Sequence, residues 1–298
     1  MRLTFAMNYE NINRNIALRQ ESLAKATTMA STGKRMTQPA DDPLAWSQAM
    51  DIKQSLREFD ALERNINHGV QWNQATDNAL SSLSDLLIRA KEAGMRFSSA
   101  STSDAREGLI NEIEQITEEA YNLANSQFGD QYIFSGRNTS VQPFQVGDPT
   151  GYAGDDSTDV EIRSGSGQRQ AINLGGSTVF FTDAADPDTS VFKTLTDLKA
   201  AMQAGDTDQV QAQLGTLDAA FQHISARQTK VGARLNQLEE KLATLTNLKT
   251  DRTTVLADTE EADMVEVLTQ LQQKRTALEA ALRVSTYADG LNLVKYLS

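Results

Sequence analysis

Between Leu214 and Leu245 one pattern repeats. Leu214, Leu217, Phe221, Ile224, Gln228, Val231, Leu235, Leu238, Leu242 and Leu245 follow one another at alternating intervals of three and four, and nine of the ten are apolar. Such spacing keeps side chains on one stripe of an α-helix but would scatter them over both faces of a strand, so the stretch is legible only as helix. Held this long, it is a heptad seam of the coiled-coil type, with Gln228 as its single polar interruption. A stripe of this kind cannot bury itself. The fold must lay at least one other long helix beside it.

Candidate partners lie upstream. Residues from about 9 to 32 place Ile12, Ile16, Leu23 and Ala26 on one side of a helix. From Pro43 a second helix carries Ile52, Leu56, Phe59, Ile66, Val70, Leu80, Leu83 and Leu87, with a stop expected near Gly94. Ser103 or Asp104 caps a third, with Leu109, Ile113, Ile116, Ala120 and Leu123 spaced 4-3-4-3. A last helix starts near Glu260–Asp263 and carries Met264, Leu268, Leu271, Leu278 and Leu282. Composition agrees with narrow seams rather than a thick core: 39% of residues are hydrophobic, only 6% are aromatic, and five prolines in 298 residues leave room for long helices.

After Gly129 the texture changes. Residues 130–190 gather Tyr132, Phe134, Phe144, Tyr152, Phe180 and Phe181 among turn formers. The runs "QYIF", "DVEIR", "RQAINL" and "STVFF" read as short strands, with hairpin turns at Gly165-Ser166-Gly167 and Gly175-Gly176. The expected fold is mainly α: an elongated antiparallel helical bundle or coiled-coil rod formed by both chain halves, with a small β-rich insert domain at its far end. Its divisions are a terminal assembly helix and turn (1–42), half of the rod (43–129), the insert (130–190), the other half of the rod (191–259) and a second terminal helix (260–298).

The stretch "STGKRMTQPADDPL" (31–44) imitates a nucleotide site, with Gly-Lys followed by paired aspartates. The Walker pattern needs Gly five residues before the Gly of Gly-Lys and Ser or Thr after the lysine; here Thr28 and Arg35 stand there. A turn between helices explains it better. Gly33 can close one helix in the left-handed conformation, Asp42 can cap the next, and Pro43 fits its first position.

No catalytic constellation stands out. With no cysteine, disulfides, thiolate metal sites and thiol nucleophiles are excluded. His68 and His223 are single histidines in helices, without a second ligand at i+4. The acidic run from Asp148 to Glu161 departs from a calcium loop, since Val160 stands where glycine is required, and reads as a solvated loop. Glu118-Glu119, Glu239-Glu240 and Glu260-Glu261 are adjacent on helices, point about 100° apart, and read as solvated faces. No cofactor or metal is expected. A net charge of −12 argues against nucleic acid, although residues 1–36 hold six basic side chains against two acidic ones. The first 30 residues lack the apolar run of a secretory signal, and no window suits a membrane span. By that test the protein stays in the cytosol unless it leaves by a route without a cleaved signal.

The terminal helices carry seams too thin to hold a two-helix pair by themselves. Either they order fully only against other subunits, or they fold back into an ordinary four- or five-helix bundle; periodicity leaves both open.

Several segments in order resemble the flagellin superfamily. "MASTGKRMTQPADDPLAWSQAM" (29–50) is similar to the turn after its first helix, "NINHGVQWNQATDNALSSLSDLLIRAKEAG" (65–94) to its second helix, and "EEADMVEVLTQLQQKRTALEAALRV" (260–284) to its C-terminal segment. The likeness covers about 1–136 and 205–298. The opening "MRLTFAMNYENINRN", the Pro of "DDP", "QYIFSGRNTSVQPF" (131–144) and the ending "LNLVKYLS" resemble its hook–filament junction branch more than flagellin itself. The resemblance implies an extracellular, non-enzymatic subunit of the bacterial flagellum, exported through the type III pathway without a cleaved signal. It also implies partners: a ring of like subunits, the first hook-associated protein, flagellin, and an export chaperone on the C-terminal segment. Ile12, Ile16, Leu23, Leu268, Leu271, Leu278, Leu282 and Val294 are the positions it assigns to assembly. A short flagellin and a cytosolic signalling coiled coil are the competing readings.

Overall fold

The computed structural model describes residues 2–100, 102–165 and 167–294, with the side chains of 2–6, 8 and 288–294 outside the description. It is mainly helical. In chain order come α1 (Arg2–Thr32), α2 (Pro43–Ser99), α3 (Ser103–Ala124), β1 (Gln127–Phe128), β2 (Gln131–Tyr132), β3 (Glu161–Arg163), β4 (Arg169–Ala171), α4 (Gly176–Phe180), a 3-10 turn (Pro187–Thr189), α5 (Val191–Ala204), α6 (Thr207–Glu260) and α7 (Met264–Val294). The strands form two antiparallel pairs, β1 with β2 and β3 with β4, the latter in register Glu161 to Ala171 and Arg163 to Arg169. The chain divides into two compact units: residues 59–246, and a terminal unit of 1–58 with 247–298.

Several helix boundaries have visible causes. The Thr102 hydroxyl accepts from the Ala105 amide, which places the α3 cap one residue before Ser103. Ser190 accepts from the amides of Phe192 and Lys193 to start α5, and Gly205 closes that helix at φ +69°. The Asp206 carboxylate accepts from Asp208 and Gln209 at the start of α6. Asp263 does the same for Val265 and Glu266 at the start of α7.

Residues 59–246 hold the main core. Leu80, Leu83, Leu87 and Phe97 of α2, Ile113 and Ile116 of α3, Phe192, Leu195 and Leu198 of α5, and Leu217, Ile224 and Val231 of α6 pack as one cluster. Gly94 does not end α2, which runs on to Ser99. A Cβ there would stand 2.8 Å from Leu214 Cδ2, so the glycine lets α6 come close. Gly69 plays the same part for Ile162 of β3, and through it the β3–β4 hairpin lies on α2. A row on α6 fastens the same region: His223 Nε2 lies 2.9 Å from the Thr178 carbonyl, Arg234 donates to the Asn173 carbonyl at 2.6 Å, and Lys241 donates to Ser164 and Gln170.

Two readings of the middle segment need correction. "STVFF" is not a strand: Gly176–Phe180 form a short helix, and Gly175-Gly176 begin it rather than turning a hairpin. The cause is a distant carboxylate. Asp156 accepts from the amide and hydroxyl of Ser177 and from the Tyr152 hydroxyl, while the Gly176 amide reaches the Phe134 carbonyl at 2.9 Å. The acidic run is therefore not wholly solvated, because Asp156 turns inward. Burial, with the hydrogen bond and charge of Asp156 added, pushes the Tyr152 phenol far above its ordinary range, so it stays a donor. Phe134, Phe144, Phe180 and Phe192 stack and cross beneath this knot.

Candidate assembly surface

The terminal unit is built differently. The last residue of α1 leads into Gly33, at φ +67°, whose amide closes onto the Met29 carbonyl. Asp41 folds the following turn: its carboxylate accepts from the Thr37 and Gln38 amides and meets Lys25 at 3.0 Å. The Lys25 hydrogen bond and these amides hold the Asp41 carboxyl well below its ordinary range. Asp42 accepts from the Ala45 amide, with Pro43 opening α2. Met36, buried, packs with Ala45 and Ala49, and Trp46 and Leu256 lie against them.

This turn is laced to the one between α6 and α7. The Arg35 amide donates to the Glu260 carbonyl at 2.7 Å and the Ala262 amide to the Gly33 carbonyl at 2.9 Å, making a one-residue antiparallel bridge of Lys34 with Glu261. The end of α1 thus meets the start of α7, and the two helices pack antiparallel. Glu260 is not a solvated residue: it is only 7% exposed and receives Lys34 at 3.1 Å and Lys53. Its neighbour Glu261 is exposed. Nothing in the local pattern separates the two, and the signal lies in partners more than 200 residues away.

The sequence-assigned assembly positions are unevenly placed. Ile12, Ile16, Leu23, Leu271 and Leu278 are half-buried, Leu268 is 54% exposed, Leu282 is 43% exposed, and the side chain of Val294 lies outside the described residues. On α6, Leu214, Leu217, Ile224, Val231, Leu235, Leu238 and Leu245 are buried, with Phe221 and Leu242 half-buried. Val267, buried in α7 one position before Leu268, escaped the sequence reading.

The imbalance is general. Of the seventeen large apolar side chains exposed among the described residues, thirteen belong to the terminal unit, including Met7, Tyr9, Leu18, Val265, Val284 and Tyr287. Of the forty-four buried hydrophobic residues among those described, that unit supplies only Ala26, Met36, Ala45, Ala49, Ile52 and Val267. Scattered exposed leucines mean little. Exposed apolar side chains gathered in one unit are the kind of surface that marks an interaction site.

Among the described residues no three His, Cys, Asp or Glu side chains gather as a metal site, and no helix is long and apolar enough to cross a membrane.

Residues 5–139 match the family described as the bacterial flagellin N-terminal helical region. Over 98% of both chains the sequence is 25% identical to flagellar hook-associated protein 3 of Escherichia coli K12. It is 24% identical to polar flagellin F of Vibrio parahaemolyticus over 76% of this chain and 62% of that one. The solved structure of the flagellar junction protein FlgL of Legionella pneumophila superposes with a TM-score of 0.57 at 19% identity, covering 73% of this chain and all of that one, a likeness of fold. The chain is thus similar to flagellar hook-associated protein 3 along nearly its whole length, and over residues 5–139 to the flagellin N-terminal helical region.

Proposed function

We propose that the chain is a structural adaptor subunit of the bacterial flagellum, joining the hook, through the first hook-associated protein, to the flagellin filament. Its terminal helices assemble with those of neighbouring copies into a ring. One observation carries this reading: among the described residues the terminal unit exposes thirteen large apolar side chains while burying six apolar ones, three of them alanines, so α1 and α7 pack on each other with apolar surface left over. The hook-associated relative, matched end to end, supports the place in the flagellum. The protein is a non-enzymatic, extracellular subunit that leaves the cell unfolded without a cleaved signal, with a chaperone held on its C-terminal segment until export.

A short filament flagellin is the second reading, supported by the flagellin relative. Removing the gene separates the two. The adaptor reading expects hooks without filaments and flagellin released as monomer into the medium; normal filaments on such cells would refute it. Copy number is a second check, few per flagellum for a ring and thousands for a filament.

A further inference from the structure

Glu260 stands where the end of α1, the start of α2, the end of α6 and the start of α7 meet. Its carboxylate holds Lys34, from the turn after α1, and Lys53, from α2. Around it, Arg35 donates its amide to the Glu260 carbonyl and its guanidinium to the Thr259 carbonyl at 3.3 Å, and pairs with Asp42 at 3.6 Å. Glu261 follows, exposed, in the bridge with Lys34. Two cations thus converge on one buried anion, and each comes from a different element.

A buried carboxylate is tolerated because it is paired; removing its charge leaves the partners uncompensated. We propose that Glu260 is an acid-labile clasp for the terminal helix pair: protonation frees Lys34 and Lys53, which then repel, and the base of α1–α7 loosens from α2 and α6. Burial pushes this carboxyl up, but the hydrogen bonds and charges of Lys53 and Lys34 outweigh it and hold it below the ordinary 4.5. The clasp is therefore fully closed above that value and opens as pH falls through the lower folded value.

The chain has no cysteine, so Ala24→Cys and Gln48→Cys, both exposed positions, give a clean spin-label pair on α1 and α2 of the full-length protein. Pulsed electron spin resonance should give a narrow distance distribution at neutral pH that broadens with a midpoint below 4.5. In a Glu260→Gln background the distribution should be broad at every pH. In Lys53→Met, which removes one compensating cation, the midpoint should move upward. A distribution that stays narrow in acid overturns the clasp. So does a full acid transition surviving in Glu260→Gln, which would assign it to another carboxylate such as Asp41. Circular dichroism confirms that each variant keeps its helices.

Discussion

Gly136 shows how much one residue can decide. It holds φ +65° beside a parallel bridge to Asp155, and a Cβ there would stand 2.1 Å from the Asp155 carbonyl oxygen. Backbone cannot yield as a side-chain end can, so Gly136→Ala should destabilise residues 59–246 by about 2 kcal/mol or more, read by urea unfolding. Asp156→Ala deletes a charged acceptor serving Tyr152 and Ser177 and should cost about 2–3 kcal/mol in the same assay. Stability unchanged in either variant would contradict a knot held by Gly136 and Asp156. The sequence hid both residues for one reason. Turn chemistry at Gly33 and Asp42 acts within four positions and can be read locally, whereas Gly136 and Asp156 are defined by partners outside their own turns, Asp155 and Ser177.

Among the elements, length decided what was legible. The α6 seam repeats often enough that its helix could not be mistaken, and α2 and α3 follow from the same periodicity. Five residues of "STVFF" give no period, and β propensity lost to the amides that Asp156 and the Phe134 carbonyl fix at the start of α4. Gly94 misled because glycine serves two ends, stopping a helix or admitting a neighbour, and only Leu214 reveals which. The α6 and α7 seams should differ in consequence. Leu238→Ala, buried against Ile66, should cost about 2–5 kcal/mol of monomer stability. Leu268→Ala, on the exposed side of α7, should change monomer stability by less than about 0.5 kcal/mol. It should nevertheless weaken self-association in sedimentation. If Leu268→Ala unfolds the monomer instead, α7 completes its core internally.

At the scale of the molecule, charge and apolar surface separate. Residues 59–246 hold 26 acidic and 14 basic side chains, and the terminal unit 14 of each. The whole net charge of −12 therefore rests on the unit with the finished core, while the neutral unit presents the exposed apolar side chains. Copies joining through the neutral unit must bring their acidic ones nearer, and salt screens that repulsion over a Debye length of about 10 Å at 0.1 M. Self-association should accordingly strengthen from low to moderate ionic strength; weakening would mean that ion pairs, not apolar burial, drive it. The proposed assembly requires that the terminal helices finish their core only against neighbouring copies. Hydrogen exchange compares this most directly between dilute monomer and assembled protein. Amides of α1 and α7 away from the Glu260 junction should exchange fast in the monomer and slowly in the assembly, with α3 and α5 protected alike in both. Strong protection of α1 and α7 in the lone monomer would contradict the account.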